Sequence, residues 1–245
     1  MDRNFMTGTM PDARAPGLKT TFIRKGGWLG ENLSCFEVPA LPIHEMIEIA
    51  AAKTNEVGKR PLWAGYREIE AYPRSTTKDR KPNQVRVAPA IGRFFSWLAS
   101  MRRNPQIVEI GTAFGISGMY WLAGIGQGHL YTFDPNPDWA SIARENLHRV
   151  STNFTLAVDT FENAGPRLVE SASVDIAFID AIHMPEVVQR QFDMLKPAMK
   201  SSALVLFDDI CFSEGMRTCW SEIASSPHVT ASATLGRRTG IIELT

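Results

Sequence analysis

The sequence predicts a doubly wound α/β fold, on two observations. After Pro105, short apolar runs alternate with segments of helical periodicity, which is typical of βαβ units around a parallel sheet. The last two runs flank Gly236, a residue suited to a tight turn, and so predict an antiparallel hairpin at the C-terminal end. Together they predict a Rossmann-like, mostly parallel sheet of seven strands: Gln106–Ile110, Leu130–Phe133, Phe154–Ala157, Val174–Ile179, Ala203–Phe207, Val229–Thr234 and Thr239–Leu244.

Helical patterns fill the intervals between these strands and also precede them. Upstream, apolar spacing predicts one helix from Leu41 to about Lys59 and an amphipathic helix from Val87 to Met101. The polar segment Pro73–Arg86 contains two prolines, and we expect it to form, with the tail before Leu41, a mobile lid. We therefore divide the chain into an N-terminal tail, helix and lid over 1–86 and an α/β domain over 87–245. Between the predicted strands, we expect helices at about 116–125, 137–149, 161–170, 185–197 and 214–225.

Composition narrows the class of partner. The 26 Lys and Arg residues balance the 26 Asp and Glu residues, so no net charge draws the protein to nucleic acid or to an anionic membrane. The three cysteines have no C-x-x-C spacing, which argues against a disulfide framework or a thiolate zinc site. With no apolar run of membrane-spanning or signal-peptide type, we expect a cytoplasmic protein with a small-molecule substrate.

A glycine-containing loop follows the first strand of the α/β domain. Gly111 and Gly115 lie four residues apart, whereas a dinucleotide fold would show G-x-G-x-x-G. Glu109 precedes the loop, and its carboxylate suits a ligand that carries an ammonium and a sulfonium better than one that carries phosphates. Asp134 ends the second strand, where an acid can accept hydrogen bonds from ribose hydroxyls. The alternative is that the glycines form only a tight turn and that Asp134 caps a helix.

The segments VEIGTAFGISG and TFDPNPDWASIARENL resemble the first two motifs of class I S-adenosylmethionine (SAM)-dependent methyltransferases, in particular the catechol O-methyltransferase-like branch. The resemblance implies SAM as cofactor, with Glu109 and Gly111 along its methionine, Ser117 near its carboxylate and Asp134 on its ribose. Asp159, Thr160 and Phe161 would hold the adenine, although Thr160 could equally cap its helix. The implied cofactor-binding set is Glu109, Gly111, Thr112, Ala113, Phe114, Gly115, Ser117, Asp134, Pro135, Asp159, Thr160, Phe161 and Asp180.

Three acids end two further strands: Asp180, Asp208 and Asp209. Ligands of open α/β sheets bind outside the carboxyl ends of the strands, so these side chains should converge on the same crevice. Because close carboxylates repel, some must be protonated or a cation must join them, and an all-oxygen set suits Mg²⁺. The resemblance likewise implies that the three bind a divalent metal, although the third position there is commonly Asn.

His183, three residues after Asp180, lies where the metal-dependent relatives have a lysine base. A neutral imidazole could take a proton from an acceptor hydroxyl or amine, so we expect His183 and Asp180 to be catalytic. Alternatively, His183 caps the following helix or is a fourth metal ligand.

The function expected from these features is methylation of an oxygen of a small molecule by SAM, assisted by a divalent metal. Alternatives are metal-independent N-, S- or C-methyl transfer on the same fold, a nicotinamide-dependent oxidoreductase, and a binding module without activity. A homodimer is left open as the assembly.

Overall fold

The apolar runs after Pro105 pair as strands of one sheet in a computed structural model, which describes residues 18–33, 38, 40–69, 72 and 78–245. In this part of the chain the sheet has eight strands in the order β1-β7-β8-β6-β5-β2-β3-β4. Their bounds are Thr20–Arg24 (β1), Gln106–Ile110 (β2), His129–Phe133 (β3), Phe154–Ala157 (β4), Val174–Ile179 (β5), Met199–Phe207 (β6), Val229–Leu235 (β7) and Thr239–Leu244 (β8).

The register of the parallel strands determines where the functional residues meet. Strands β2 to β6 pair in parallel, with Ile110 opposite both Phe133 and Ile179, and Ile179 opposite Phe207. Since Phe133 is also opposite Ala157, the five strands β2 to β6 end level with one another, and the residues that follow them lie at one edge of the sheet. Strand β8 lies between β6 and β7 and is antiparallel to both, which confirms the predicted C-terminal hairpin.

Helices cover both faces of the sheet. On one face, Ile47, Phe95 and Trp121 from three helices pack on strand residues, and Phe95 stacks on Trp121 at 4.2 Å between ring centroids. On the other face, Phe192 and Trp220 from two further helices belong to a second apolar cluster. Burial on both faces explains why the central strands are continuously apolar instead of alternating. The helices are Gly27–Asn32 (α1), Pro42–Asn55 (α2), Pro89–Ser100 (α3), Ile116–Gly124 (α4), Pro137–His148 (α5), Phe161–Leu168 (α6), Pro185–Leu195 (α7) and Glu214–Ser225 (α8).

The predicted doubly wound α/β fold is confirmed, and each of its seven expected strands is present. The eighth strand, β1, was not expected: its five residues pair antiparallel with the edge strand β7. So short a strand has little periodicity of its own, and it exists because β7 offers unpaired backbone groups. The division at residue 86 stays a prediction, and β1 and α2, which precede that point, pack on the sheet and core of the α/β region.

Part of the predicted lid lies outside the described residues, namely 73–77 and, before Leu41, 1–17, 34–37 and 39. The described remainder includes a short 3₁₀ helix at Pro82–Gln84, and Arg80 forms a backbone bridge with Arg60. Among the described residues, no helix is both long enough and apolar enough to span a membrane.

A buried carboxyl group ties α1 to the sheet. Glu243 on β8 is 3% exposed and accepts hydrogen bonds from the backbone N–H groups of Trp28 and Leu29, at 3.1 and 2.9 Å. These are the first turn of α1, whose N–H groups have no partner within the helix. The contact spans more than 200 residues of sequence, so it stabilises the attachment of the N-terminal segment to the C-terminal strand.

We predict that Glu243→Ala lowers the free energy of unfolding by about 2–4 kcal/mol, because two buried N–H groups lose their acceptor. Urea denaturation followed by circular dichroism measures this. Glu31→Ala, an exposed position on α1, is the matched control and should change stability by less than about 0.5 kcal/mol. Equal effects of the two substitutions would show that Glu243 does not anchor α1.

Candidate active site

A cleft of about 290 Å³ opens at the edge of the sheet where β2, β3, β5 and β6 end. This is the position at which open α/β sheets bind ligands. Its walls come from the loops after those strands, from α4 and α6, and from the segment before α3. Residues on the cleft wall include Gly111, Ala113, Ser117, Asp134, Pro135, Thr160, Phe161, Asp180, His183, Asp209 and Arg238.

The loop after β2 depends on its two glycines. Gly111 has φ +105°, and a Cβ there would lie 2.1 Å from the backbone oxygen of Asp180. Gly115, at φ +81°, precedes α4, and a Cβ there would lie 3.1 Å from the backbone of Ala143. The loop therefore passes close to β5 and α5, and it brings Ala113 to the cleft. The tight turn that was left open as an alternative is present, and the same turn forms the cleft wall.

Glu109 lies behind this loop and is not among the residues on the cleft wall. It is fully buried, and its Oε2 accepts a hydrogen bond from Thr132 Oγ1 at 2.7 Å. Burial raises the pKa of Glu109 to about 7, against the hydrogen bonds from Thr132 and Ser117. Its Oε1 is buried without a hydrogen-bond partner in the described part of the chain. This carboxyl group supports the first turn of α4 from below.

Asp134 reaches the cleft from the end of β3. Its two oxygens accept hydrogen bonds from the backbone N–H groups of Ala113, at 2.8 Å, and Asn136, at 2.9 Å. Burial raises the pKa of Asp134 to about 6, and the two N–H groups oppose that rise. Helix α5 is capped by Asn136, whose side chain accepts from the N–H groups of Asp138 and Trp139. The alternative reading of Asp134 as the helix cap is therefore wrong.

The loop after β4 places its residues unequally. Thr160 and Phe161 line the cleft, whereas Asp159 does not. Thr160 is the N-cap of α6 and accepts from Asn163 N–H at 3.4 Å, so the capping alternative describes its local contact. Phe161 packs edge-to-face on Phe133 with ring centroids 5.3 Å apart, and the two rings form an apolar wall.

The three predicted metal ligands come together, but their partner is a side chain. Arg238 bonds Asp208 through Nε and Nη2, with a shortest distance of 2.6 Å, and its Nε lies 2.7 Å from Asp209 Oδ1. Burial and the neighbouring Asp208 raise the pKa of Asp180 well above its usual range. Among the described residues, no group of three or more His, Cys, Asp or Glu side chains is arranged to hold a metal ion. The predicted metal set of Asp180, Asp208 and Asp209 is thus not confirmed, because Arg238 takes the position of the cation.

His183 lies beside this cluster. Its Nε2 is 3.4 Å from Asp209 Oδ2 and 3.8 Å from Asp180 Oδ1, and its side chain is 15% exposed. Burial lowers the pKa of His183, the carboxylates of Asp209 and Asp208 oppose this, and Arg238 adds to it. The residue before α7 is Met184, and α7 has no side-chain cap, so His183 does not cap that helix.

Comparison with known proteins shows which proteins this chain is similar to. Residues 108–210 match the family described as a methyltransferase domain. The α/β part of the chain is therefore similar to methyltransferase domains. An inferred O-methyltransferase from Mycobacterium avium is 30% identical over 117 residues, which are 45% of this chain and 52% of that protein. The chain therefore spans about half the length of the curated relatives it matches.

Solved structures share the fold over a longer stretch. An O-methyltransferase of tomaymycin synthesis from Streptomyces achromogenes, solved in complex with SAM, is 20% identical with a TM-score of 0.60 over 87% of this chain and 94% of that one. An O-methyltransferase from Bacillus cereus, in complex with S-adenosylhomocysteine, is 19% identical with a TM-score of 0.58 over 89% and 96%. At these identities the likeness establishes the fold.

Several residues at the cleft were not singled out from the sequence. Arg238 is the second of two consecutive arginines after the turn glycine, and arginines in a hairpin turn are normally solvated; its side chain is still 57% exposed. Trp63, Tyr66 and Phe212 also line the cleft, and the Tyr66 hydroxyl donates to the backbone oxygen of Ala181 at 3.0 Å. Only the group of aromatic residues around Tyr66 could have indicated from the sequence that this segment lines a cleft. No pattern of charge or spacing links residues 60–72 to the strand ends.

We predict that Gly111→Ala lowers the free energy of unfolding by more than about 3 kcal/mol, because a positive φ and a backbone clash act together. Gly126→Ala is the matched control: its φ is +60°, and no atom lies within 4 Å of an added Cβ. Strain alone should cost about 1–2 kcal/mol there. Urea titration of both variants compares them, and similar losses would contradict the close approach to Asp180.

Proposed function

We propose that this protein transfers the methyl group of SAM to an oxygen of a small molecule. The single observation that carries the proposal is the convergence of the glycine loop, Asp134 and His183 on one cleft at the ends of adjacent strands. The names of the similar proteins support oxygen as the acceptor atom. We propose further that the protein is cytoplasmic and has no nucleic-acid or membrane partner. Light scattering would measure whether it forms a homodimer.

The residues of the cleft fit SAM. Each oxygen of Asp134 already accepts one backbone N–H, and a carboxylate can accept further hydrogen bonds, such as those from two ribose hydroxyls. The wall of Phe133 and Phe161 suits an adenine ring. The absence of a side chain at Gly111 lets the loop lie against the backbone of Asp180, so that Gly111 and Ala113 form the cleft wall. Pro135 and Thr160 complete this end of the cleft, and Ser117 lies at the other side of the loop.

The remaining cofactor positions follow as part of the same proposal. Thr112 and Phe114 support the loop from inside, since both are buried and Phe114 stacks on Trp139 at 4.7 Å. Glu109 would act through Ser117 and the first turn of α4, because it is absent from the cleft wall. Asp159 would likewise position Thr160, because its Oδ1 accepts a hydrogen bond from the Thr160 backbone N–H at 2.8 Å.

SAM, when bound, supplies a methyl group on a positively charged sulfur. The protein aligns the acceptor oxygen with that methyl group and excludes water from the cleft. His183 takes the proton of the acceptor hydroxyl, because burial keeps its imidazole neutral. Since Nε2 is the ring nitrogen nearest the carboxylates, the tautomer with its proton on Nε2 leaves Nδ1 as the basic atom. Asp209 orients the ring and stabilises it once it is protonated, and Asp180 Oδ1 lies 3.8 Å from the same nitrogen.

A divalent metal does not fit this arrangement. Both oxygens of Asp208 and Oδ1 of Asp209 are occupied by the guanidinium of Arg238. A divalent cation would have to displace that charged group or lie beside it. The proposed reaction therefore contains no step through a metal.

We predict that Asp134→Ala weakens SAM binding at least about tenfold, since loss of charge-assisted hydrogen bonds costs about 1.5–3 kcal/mol each. Titration calorimetry with SAM measures the affinity, and NADH should release no heat. Asp138→Ala, an exposed acid four residues on, is the matched control and should bind SAM like the wild type. Unchanged affinity in Asp134→Ala, with an intact fold, would remove Asp134 from the cofactor site.

We predict that methyl transfer falls as the pH falls through the pKa of His183, which burial places below 6.5, because only the neutral imidazole accepts a proton. His183→Ala should lower turnover by about 10²–10⁴-fold and remove this acidic limb. The pH–rate profile with a panel of phenols, alcohols, amines and thiols measures both, and the panel also distinguishes oxygen from nitrogen or sulfur acceptors. His228→Ala, an exposed histidine, should leave the profile unchanged. A full acidic limb in His183→Ala would assign the base to another group.

A further inference from the structure

The guanidinium of Arg238 lies among the acidic side chains at the ends of β5 and β6. Its Nε is 3.2 and 3.0 Å from the two oxygens of Asp208, and its Nη2 is 2.6 Å from Asp208 Oδ2. The same Nε is 2.7 Å from Asp209 Oδ1. One cation thus contacts two of the three carboxyl groups, and the third, Asp180, lies close enough to Asp208 for the two to share a hydrogen bond.

The backbone holds Arg238 in this position. Its carbonyl oxygen accepts a hydrogen bond from Ile210 N–H at 3.0 Å, and the next residue, Thr239, bonds Asp208 through its hydroxyl at 3.3 Å. The β7–β8 turn therefore binds the loop after β6 through main chain and side chain together. Asp209 in turn has φ +50°, a left-handed conformation that Asp tolerates better than most residues. The contact between turn and loop is built into the fold.

Charge explains why a cation is needed there. The side chain of Asp208 is 5% exposed and that of Asp209 is 21% exposed, so water screens their mutual repulsion poorly. A planar guanidinium offers several N–H donors in a fixed geometry that matches carboxylate oxygens. A divalent ion at the same oxygens would meet the positive charge of Arg238 within a few ångströms, which disfavours its binding.

We propose that Arg238 is the fixed cation of the acceptor site and that it makes the protein independent of a divalent metal. It neutralises Asp208 and Asp209 where a metal would otherwise be needed, and it holds Asp209 beside His183. Arg238 is thus a positioning residue for the proposed base. The proposal rests on the proposed function only where activity is measured, because the exchange of a guanidinium for a metal is a property of the carboxyl cluster itself.

The first experiment measures Mn²⁺ binding by electron paramagnetic resonance, without SAM or acceptor. We expect no specific binding by the wild type or by Arg237→Ala, a neighbouring exposed arginine that contacts neither carboxylate. Arg238→Ala should bind Mn²⁺ at least tenfold more tightly than the wild type, and Asp209→Asn in that background should abolish the gain. Arg238→Gln keeps much of the side-chain volume and repeats the test if the alanine variant does not fold.

Specific Mn²⁺ binding by the wild type would overturn the proposal, and so would failure of the folded Arg238 variants to gain binding. Neither result depends on whether the protein is a methyltransferase.

The second experiment measures methyl transfer in chelator. Wild-type turnover should be the same with and without EDTA, Arg238→Ala should lose at least tenfold in EDTA and recover with Mn²⁺, and Arg238→Lys should retain more activity than Arg238→Ala. Loss of wild-type activity in EDTA would overturn the proposal. If the wild type transfers no methyl group while the Mn²⁺ results hold, the proposed function fails and the assignment of Arg238 as the cation stands.

Discussion

The parallel register of β2, β3, β5 and β6 is the constraint on which the site depends. Because these strands end level with one another, Gly111, Asp134, Asp180 and Asp208, although far apart in sequence, follow them at one edge of the sheet. A shift of one residue in any pairing would turn its acid toward the opposite face. The apolar clusters on both faces fix that register, since the apolar side chains of the central strands pack against helices on one face or the other.

Placing so many acids at one edge creates an electrostatic problem that the structure solves in three ways. Backbone N–H groups of Ala113 and Asn136 serve Asp134. Burial raises the pKa of Glu109 to about 7 and raises that of Asp180 well above its usual range, so both carboxyl groups are protonated more readily than in water. The guanidinium of Arg238 offsets Asp208 and Asp209. The cleft can therefore hold a positively charged ligand at one end and a neutral histidine at the other.

The segment before α3 completes the cleft, and its contacts are specific. Asn136, which caps α5, also donates to the backbone oxygen of Pro61 at 2.9 Å, and Tyr66 donates to Ala181 beside Asp180. Arg86 pairs with Glu48 of α2, which in turn accepts from the Tyr120 hydroxyl of α4. The N-terminal segment is thus joined both to α4 and to the loop after β5. A displacement of this segment would therefore change the positions of residues on both sides of the cleft.

Local pattern was sufficient for the strands and helices after Pro105 and for the glycine loop and Asp134, because each depends on periodicity or on residues adjacent in the chain. Strand β1 could not be predicted in this way, since it exists only against the edge of β7. Charge required that some acids of the cluster be protonated or that a cation join them, and tertiary structure decided that a cation is present and that it is Arg238. Arg238 reaches Asp208 because β8 lies antiparallel beside β6. The two residues are 30 positions apart, and the local sequence around neither one predicts that they are in contact.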